Sequence, residues 1–389
     1  MSIIKKQMLS HKLQTSSVLR PAVRAIRARP ILRLKATPPS SVTACNELEL
    51  LSMVSTIVPD GFGAEQERAA ATVSYGLLVG IIKSEASLGY KPLENAIAAA
   101  RTYSKDIDIQ VAKAFVNVGA LLAEQVSGKV STELDPRLAH DADGLVAKAK
   151  TLAGLYKDVG IPKDKILFRL PATFEGIKAT KELEKSGLSC HVFMVYSLSQ
   201  ATAAAEAGAS VINPNIGRTR DFFIKNPNMI RNPKGPRQDA GIPGGIDPGI
   251  QLAVEVYNYL KCHYPKTAVM ATGIRSREDA LALAGYDFLV LPPPVIETMK
   301  QTTTISGYND GLQATEPIAE GVMPRVVSPQ NAKAANPEKV DTKDVMSNTS
   351  SFEQALGMAG KELLSAGLAS SLKDVQALAS LSKATSGNE

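Results

Sequence analysis

Five charged side chains stand at or just beyond the ends of short apolar runs, and their types could do chemistry there. Asp60 follows Ser55–Pro59, Glu133 lies near the end of Gly128–Leu134, and Arg169 sits inside Ile166–Leu170. Arg218 opens the segment after Ser210–Ile216, and Arg275 follows Thr267–Ile274. Two carboxylates converging on one cation can carry acid–base work, or Glu133 can simply neutralise Arg169. A guanidinium effectively never gives up its proton, so Arg169 is a fixed positive charge and not a nucleophile. His191 is a further candidate acid or base, although a lone histidine on a strand is more commonly a satisfied core residue. No cluster of His, Cys and carboxylates converges by spacing, so neither a metal nor another cofactor is expected.

Those side chains need elements to hold them, and the pattern from about residue 50 alternates short apolar runs with longer helical ones. Strands are expected at Ser55–Pro59, Ala71–Tyr75, Gly128–Leu134, Ile166–Leu170, Cys190–Tyr196, Ser210–Ile216, Thr267–Ile274 and Phe288–Leu291. Helical spacing marks a stretch reaching about Thr102, then Val111–Gln125, Ala142–Val159, Phe174–Ser186, Ala201–Ala209, Pro248–Tyr264, Arg277–Ala284 and a final helix at Ser351–Ala366. Alternation of this kind makes a parallel sheet, and about eight strands favour a closed (β/α)8 barrel of the α/β class over an open sheet. The count alone also admits a doubly wound fold. Lys225–Gly249 is expected as a long loop whose glycines could form an anion nest, and Thr303–Thr349 as an irregular stretch.

Charge divides the chain unevenly. Residues 1–46 hold nine Lys or Arg and no acid, leaving 35 basic against 38 acidic residues in the remainder of the 389-residue chain. The overall +6 therefore supports no nucleic-acid-binding surface. It marks the first 46 residues as an organelle transit peptide, mitochondrial rather than plastid by its arginines, or else a disordered basic tail. Residues 47–380 are expected as the barrel with its C-terminal helix, and 381–389 as a disordered tail. No run of 18 apolar residues is present, so no membrane-spanning helix is expected. Cys45, Cys190 and Cys262 are widely spaced and are expected as reduced thiols.

Several motifs in one order carry a resemblance: Lys129-Val-Ser-Thr-Glu-Leu-Asp135, Asp164-Lys-Ile-Leu-Phe-Arg-Leu-Pro-Ala-Thr-Phe-Glu-Gly-Ile177, Ala204-Ala-Glu-Ala-Gly208, Asn213-Pro-Asn-Ile-Gly-Arg218, Asp247-Pro-Gly249 and Met270-Ala-Thr-Gly-Ile-Arg275. Together they resemble the larger single-chain transaldolases over nearly the whole body. The resemblance implies a TIM barrel and a sugar-phosphate substrate, with a homodimer as a family-level expectation. It places the Schiff-base lysine of the family at Arg169. Asp60 falls where the family has a carboxylate that handles the substrate hydroxyl proton, and Glu133 where it has a carboxylate with a bound water. Arg218 and Arg275 match the two arginines assigned to the sugar phosphate, a role suited to a planar fork that donates two parallel hydrogen bonds. A surface ion pair is the alternative for either one.

Four further positions depart from the family pattern. Ser74 stands for an asparagine, His191 and Phe193 for an asparagine and a threonine, and Asn213 for a serine. Phe193 sets a large apolar ring in a site built for a polyol, and lost polar partners weaken transition-state binding. Lys165 shares the Arg169 strand face but lies about 13 Å lower, and Lys178 falls on the next helix, so neither substitutes. The expected function is a transaldolase-like protein that binds sugar phosphate without efficient turnover. The alternatives are an aldol-type enzyme with altered chemistry and an accessory part of an organellar assembly.

Overall fold

The computed structural model describes residues 44–61, 68–83, 91–229, 247–305 and 326–386. Most of the basic N-terminal segment lies outside these residues, as do 230–246 of the expected glycine-rich loop and 306–325 of the irregular stretch. The short β1 (Ala44–Asn46) already belongs with the folded body, ahead of the boundary expected at 47, and Asn46 and Glu49 close a capping box on the first helix, α1 (Glu47–Val54).

Eight strands follow: β2 (Thr56–Pro59), β3 (Ala71–Val73), β4 (Val130–Glu133), β5 (Ile166–Pro171), β6 (Cys190–Val195), β7 (Val211–Pro214), β8 (Ala268–Ala271) and β9 (Phe288–Leu291). They form one parallel sheet in the order β2-β9-β8-β7-β6-β5-β4-β3, a nearly closed (β/α)8 TIM barrel with its seam between β2 and β3. All eight lie at the places expected from the apolar runs. Outside the barrel, β10 (Thr303–Ile305) pairs antiparallel with β1.

The helices between the strands are α2 (Tyr75–Lys83), α3 (Lys91–Arg101), α4 (Ile107–Gln125), α5 (Ala142–Asp158), α6 (Phe174–Lys185), α7 (Leu198–Glu206), α8 (Ile216–Lys225), α9 (Pro248–His263) and α10 (Arg277–Ala282). Then come α11 (Pro293–Gln301), α12 (Pro329–Ala335) and α13 (Thr349–Ser386). No helix among the described residues is long and apolar enough to cross a membrane.

Period-two alternation decides which side chains reach the barrel interior. On β4 and β5, Ser131, Glu133, Leu167 and Arg169 share the inner face, while Thr132 and Phe168 face the helices. Parallel register sets Glu133 beside Arg169 and Arg169 beside His191, so three polar side chains form one row across β4, β5 and β6. Leu167, Val211 and Met270 form a small apolar cluster of their own.

On the outer face Tyr156 of α5 shares a hydrogen bond of 2.7 Å with Thr132 Oγ1, and its ring reaches this strand over Gly119 of α4. A Cβ at Gly119 would stand 1.9 Å from the Tyr156 hydroxyl. Gly119→Ala is therefore expected to destabilise the fold by roughly 1–3 kcal/mol through overpacking, read as a lower urea midpoint at unchanged slope.

Two irregularities shape the upper end of the barrel. The β6–β7 register shifts between Val192 and Val195, where Met194 adopts φ 60°. A side chain held there stores about 1–3 kcal/mol of strain, and bulges of this kind re-aim neighbouring side chains. The second is α13, far longer than the helix expected at Ser351–Ala366 and helical through residues expected in a tail. Gly357, with φ 66° and ψ 178°, breaks it into two arms. Phe352, Leu356, Leu364 and Leu368 pack into one core cluster, whereas Val375 and Leu378 join the cluster around β3 and α2. The long arm thereby spans from one side of the barrel to the other and carries its intervening residues over the strand ends.

Candidate active site

Arg169 sits at the centre of the strand ends. Its side chain is four-fifths buried, its Nη1 lies 3.6 Å from Glu133 Oε2, and its guanidinium carbon stands 3.9 Å from the centroid of the Phe193 ring. Burial lowers its pKa, and Glu133, Tyr196 and Asp60 act in the opposite sense. Burial likewise pushes the Glu133 carboxyl up; Arg169 opposes that shift, Asp374 adds to it, and the Ser371 hydroxyl hydrogen bonds to the carboxylate. The two carboxylates expected to converge on this cation both do so, Glu133 in direct contact and Asp60 across a cavity.

That cavity, of about 530 Å³, lies inside the barrel and is lined by Asp60, Ser74, Arg169, His191, Asn213 and Thr272, among others. A smaller one of about 190 Å³ lies on the other side of Arg169, against Glu133, Phe193, Tyr196, Arg218, Ser371 and Asp374. Ser74, Arg169 and Asn213 border both. Ser74 also accepts the backbone N–H of Leu77 at 3.2 Å, which starts α2, and Thr272 donates to Asn213 Oδ1 at 2.8 Å.

His191 is not the fully satisfied core histidine that a strand position commonly holds. Its Nδ1 meets Ser131 Oγ at 2.8 Å, but Nε2 is buried without a protein partner. Burial, reinforced by Arg169, holds its pKa well below the ordinary value of 6.5. The sign follows from linkage. Below pH 6.5 the unfolded chain takes up a proton at this side chain that the folded chain refuses, so stability is lost as pH falls. The loss approaches about 1.4 kcal/mol per pH unit below 6.5 while the folded side chain stays neutral. His191→Gln is expected to flatten the acid limb of a stability-versus-pH curve between pH 7 and 5.

The two arginines expected at the phosphate end part company. Arg218 is placed by α8, where its backbone N–H donates to Asn215 Oδ1 at 3.0 Å. Its side chain lines the smaller cavity and hydrogen bonds to Tyr196. Arg275 lines neither cavity. Its Nη1 and Nη2 grip Asp221 at 2.6 and 2.7 Å, the surface ion pair that was the alternative reading. These hydrogen bonds raise Arg275 and lower Asp221 from their ordinary values.

Several lining residues escape a motif-based reading. Ser371 and Asp374 reach the site from α13, and with Gly367 and Ser370 they repeat at helical spacing, the one signal that could have found them. Lys129, just before β4, lines the larger cavity and donates from Nζ to Ser189 Oγ at 3.0 Å. Alternation with Ser131 and Glu133 would have placed it on the inner face. Lys165 lies where expected, at the opposite end of the strand, donating to the carbonyls of Ser127 and Gly128.

The barrel fold agrees with what the chain is similar to. The family model for Transaldolase/Fructose-6-phosphate aldolase matches residues 80–381. A transaldolase of Shewanella woodyi is 36% identical over 292 residues, covering 71% of this chain and 86% of that protein. A transaldolase of Protochlamydia amoebophila is 31% identical over 350 residues, covering 87% of this chain and 98% of that one. A probable transaldolase of Dictyostelium discoideum is 39% identical over 194 residues, half of this chain and 57% of its own. With a matched region that takes in β4 to β9 and most of α13, the chain belongs to the transaldolase/fructose-6-phosphate aldolase family.

Proposed function

We propose that this family member recognises sugar phosphates in its barrel but does not carry out transaldolase turnover, because Arg169 takes the place of the Schiff-base lysine. The observation that supports this most directly is the setting of Arg169 between Glu133 at 3.6 Å and Phe193 at 3.9 Å, at the mouth of the barrel. A Schiff base needs a neutral amine with a free lone pair. A guanidinium supplies neither, and it keeps its proton even where burial lowers its pKa. What remains is a positioning site. Asp60 and the hydroxyl and amide groups of Ser74, Asn213 and Thr272 can meet substrate hydroxyls, and Arg218 with Tyr196 can meet a phosphate. Arg275 joins a phosphate only by releasing Asp221. The basic segment ahead of β1 serves in this account as a mitochondrial address. A coupled assay of the full chain with fructose 6-phosphate and erythrose 4-phosphate is expected to show no turnover. Sustained turnover by the unmodified protein would overturn the proposal.

One observation favours a second reading. Lys129 lines the larger cavity and is an amine, so aldol-type chemistry could use it in place of a lysine on β5. It stands just before β4, four residues below Glu133 and about 13 Å away along the strand direction. Glu133 does not line that cavity, and Asp60 is the carboxylate on its described lining. Loss of any turnover in Lys129→Met would support this reading.

A further inference from the structure

The Arg169 guanidinium carries five N–H donors, and no hydrogen bond joins them to any described residue. Its contacts are the ion pair at 3.6 Å, too long for a hydrogen bond, and the stack on Phe193. Nε is buried without a partner, and so is Nε2 of His191, its neighbour in register. Unpartnered buried polar groups are rare in folded proteins and call for an explanation. Here both belong to side chains that line the 530 Å³ cavity, whereas Glu133 lines only the smaller one. Among the described residues of that lining, Lys129 and Arg169 carry positive charge and Asp60 negative. His191 is held neutral by burial and the adjacent guanidinium.

We propose that this cavity takes a phosphorylated sugar acid, its carboxylate seated on the Arg169 fork and on Nε2–H of His191. The proposal rests on reading the chain as a sugar-phosphate binder and names which sugar phosphates it prefers. The two oxygens of a carboxylate match two parallel N–H groups of a guanidinium, while a ketose offers one neutral carbonyl oxygen. In the bound state we infer, Ser131 Oγ, 2.8 Å from Nδ1, is the donor, and the proton of the neutral ring sits on Nε2. Thr272 occupies Asn213 Oδ1, which leaves the Asn213 amide nitrogen for a hydroxyl of the ligand. Lys129, on the same lining, offers a second cation to a ligand with charge at both ends.

Calorimetric titration of the full chain with gluconate 6-phosphate, glucitol 6-phosphate, fructose 6-phosphate and inorganic phosphate tests this. The acid is expected to bind at least about tenfold more tightly than the polyol of the same length. Arg169→Met should abolish that preference, so that the variant binds the acid no more tightly than it binds glucitol 6-phosphate. His191→Leu, which keeps the fork, should narrow the preference, and ligand-free melting curves separate lost binding from lost fold. Equal affinity for acid and polyol overturns the inference and leaves sugar-phosphate recognition standing. If none of the three sugar compounds binds more tightly than inorganic phosphate, both fall.

Discussion

Arg169→Lys is expected to convert a chain that forms no covalent sugar adduct into one that borohydride traps with fructose 6-phosphate. The substitution places an amine in the row between Glu133 and His191, at the mouth end of β5. Burial disfavours the ammonium form, while Glu133 favours it, so the amine is tuned by the same two effects that act on the guanidinium. The apolar ring of Phe193 contributes to the desolvation. Coupled turnover should rise from none to measurable, yet stay low, because Phe193 and His191 offer no hydroxyl or amide where a bound sugar needs one. Removing a single preorganised donor commonly lowers turnover by about 10²–10³. An adduct with weak turnover is thus the expected result. No adduct in the lysine variant would mean that sugars do not reach this position.

The largest stability effect is expected at Arg220. Its guanidinium, mostly buried, pairs with Asp247 and donates to Asp279 from Nη1 at 3.2 Å and from Nη2 at 2.5 Å. Each carboxylate has a second duty. Asp247 accepts the backbone N–H groups of Gly249 and Ile250 at the start of α9, and Asp279 accepts the N–H of Arg275. One cation therefore ties α8 to α9 and α10 just behind Arg218 and Arg275. Arg220→Met leaves two partly buried carboxylates facing each other without compensation. Breaking a buried pair in this way costs about 3–5 kcal/mol, to be read as a drop in urea midpoint at constant slope. Arg275→Met, by contrast, breaks only a half-exposed pair and should cost roughly 1 kcal/mol or less.

Much of the site was legible because it follows from strand periodicity. Asp60, Glu133 and Arg169 were each placed at strand ends by short apolar runs, and period-two alternation with parallel register then forces them together. Phe193 was flagged as an apolar ring in a polyol site, and it proves to be the surface on which the guanidinium lies. Features that depend on contacts distant in the chain were not legible. Arg275 looked like a phosphate ligand until Asp221, on a helix 54 residues earlier, was found in its fork. Helical spacing alone showed neither that α13 runs to Ser386 nor that Gly357 turns it across the barrel. The shift in β6 at Met194 has no sequence signature either, since methionine carries no preference for positive φ. Lys129 could have been found by counting two residues back from Ser131.

The most direct test of the account is peptide mapping by mass spectrometry after the unmodified full chain is incubated with fructose 6-phosphate and reduced with borohydride. The expected result is an unchanged mass at every lysine, Lys129 and Lys165 included, under conditions where Arg169→Lys is labelled. A sugar-derived mass increment on any lysine of the unmodified chain would contradict it, and the labelled peptide would name the amine that has taken over.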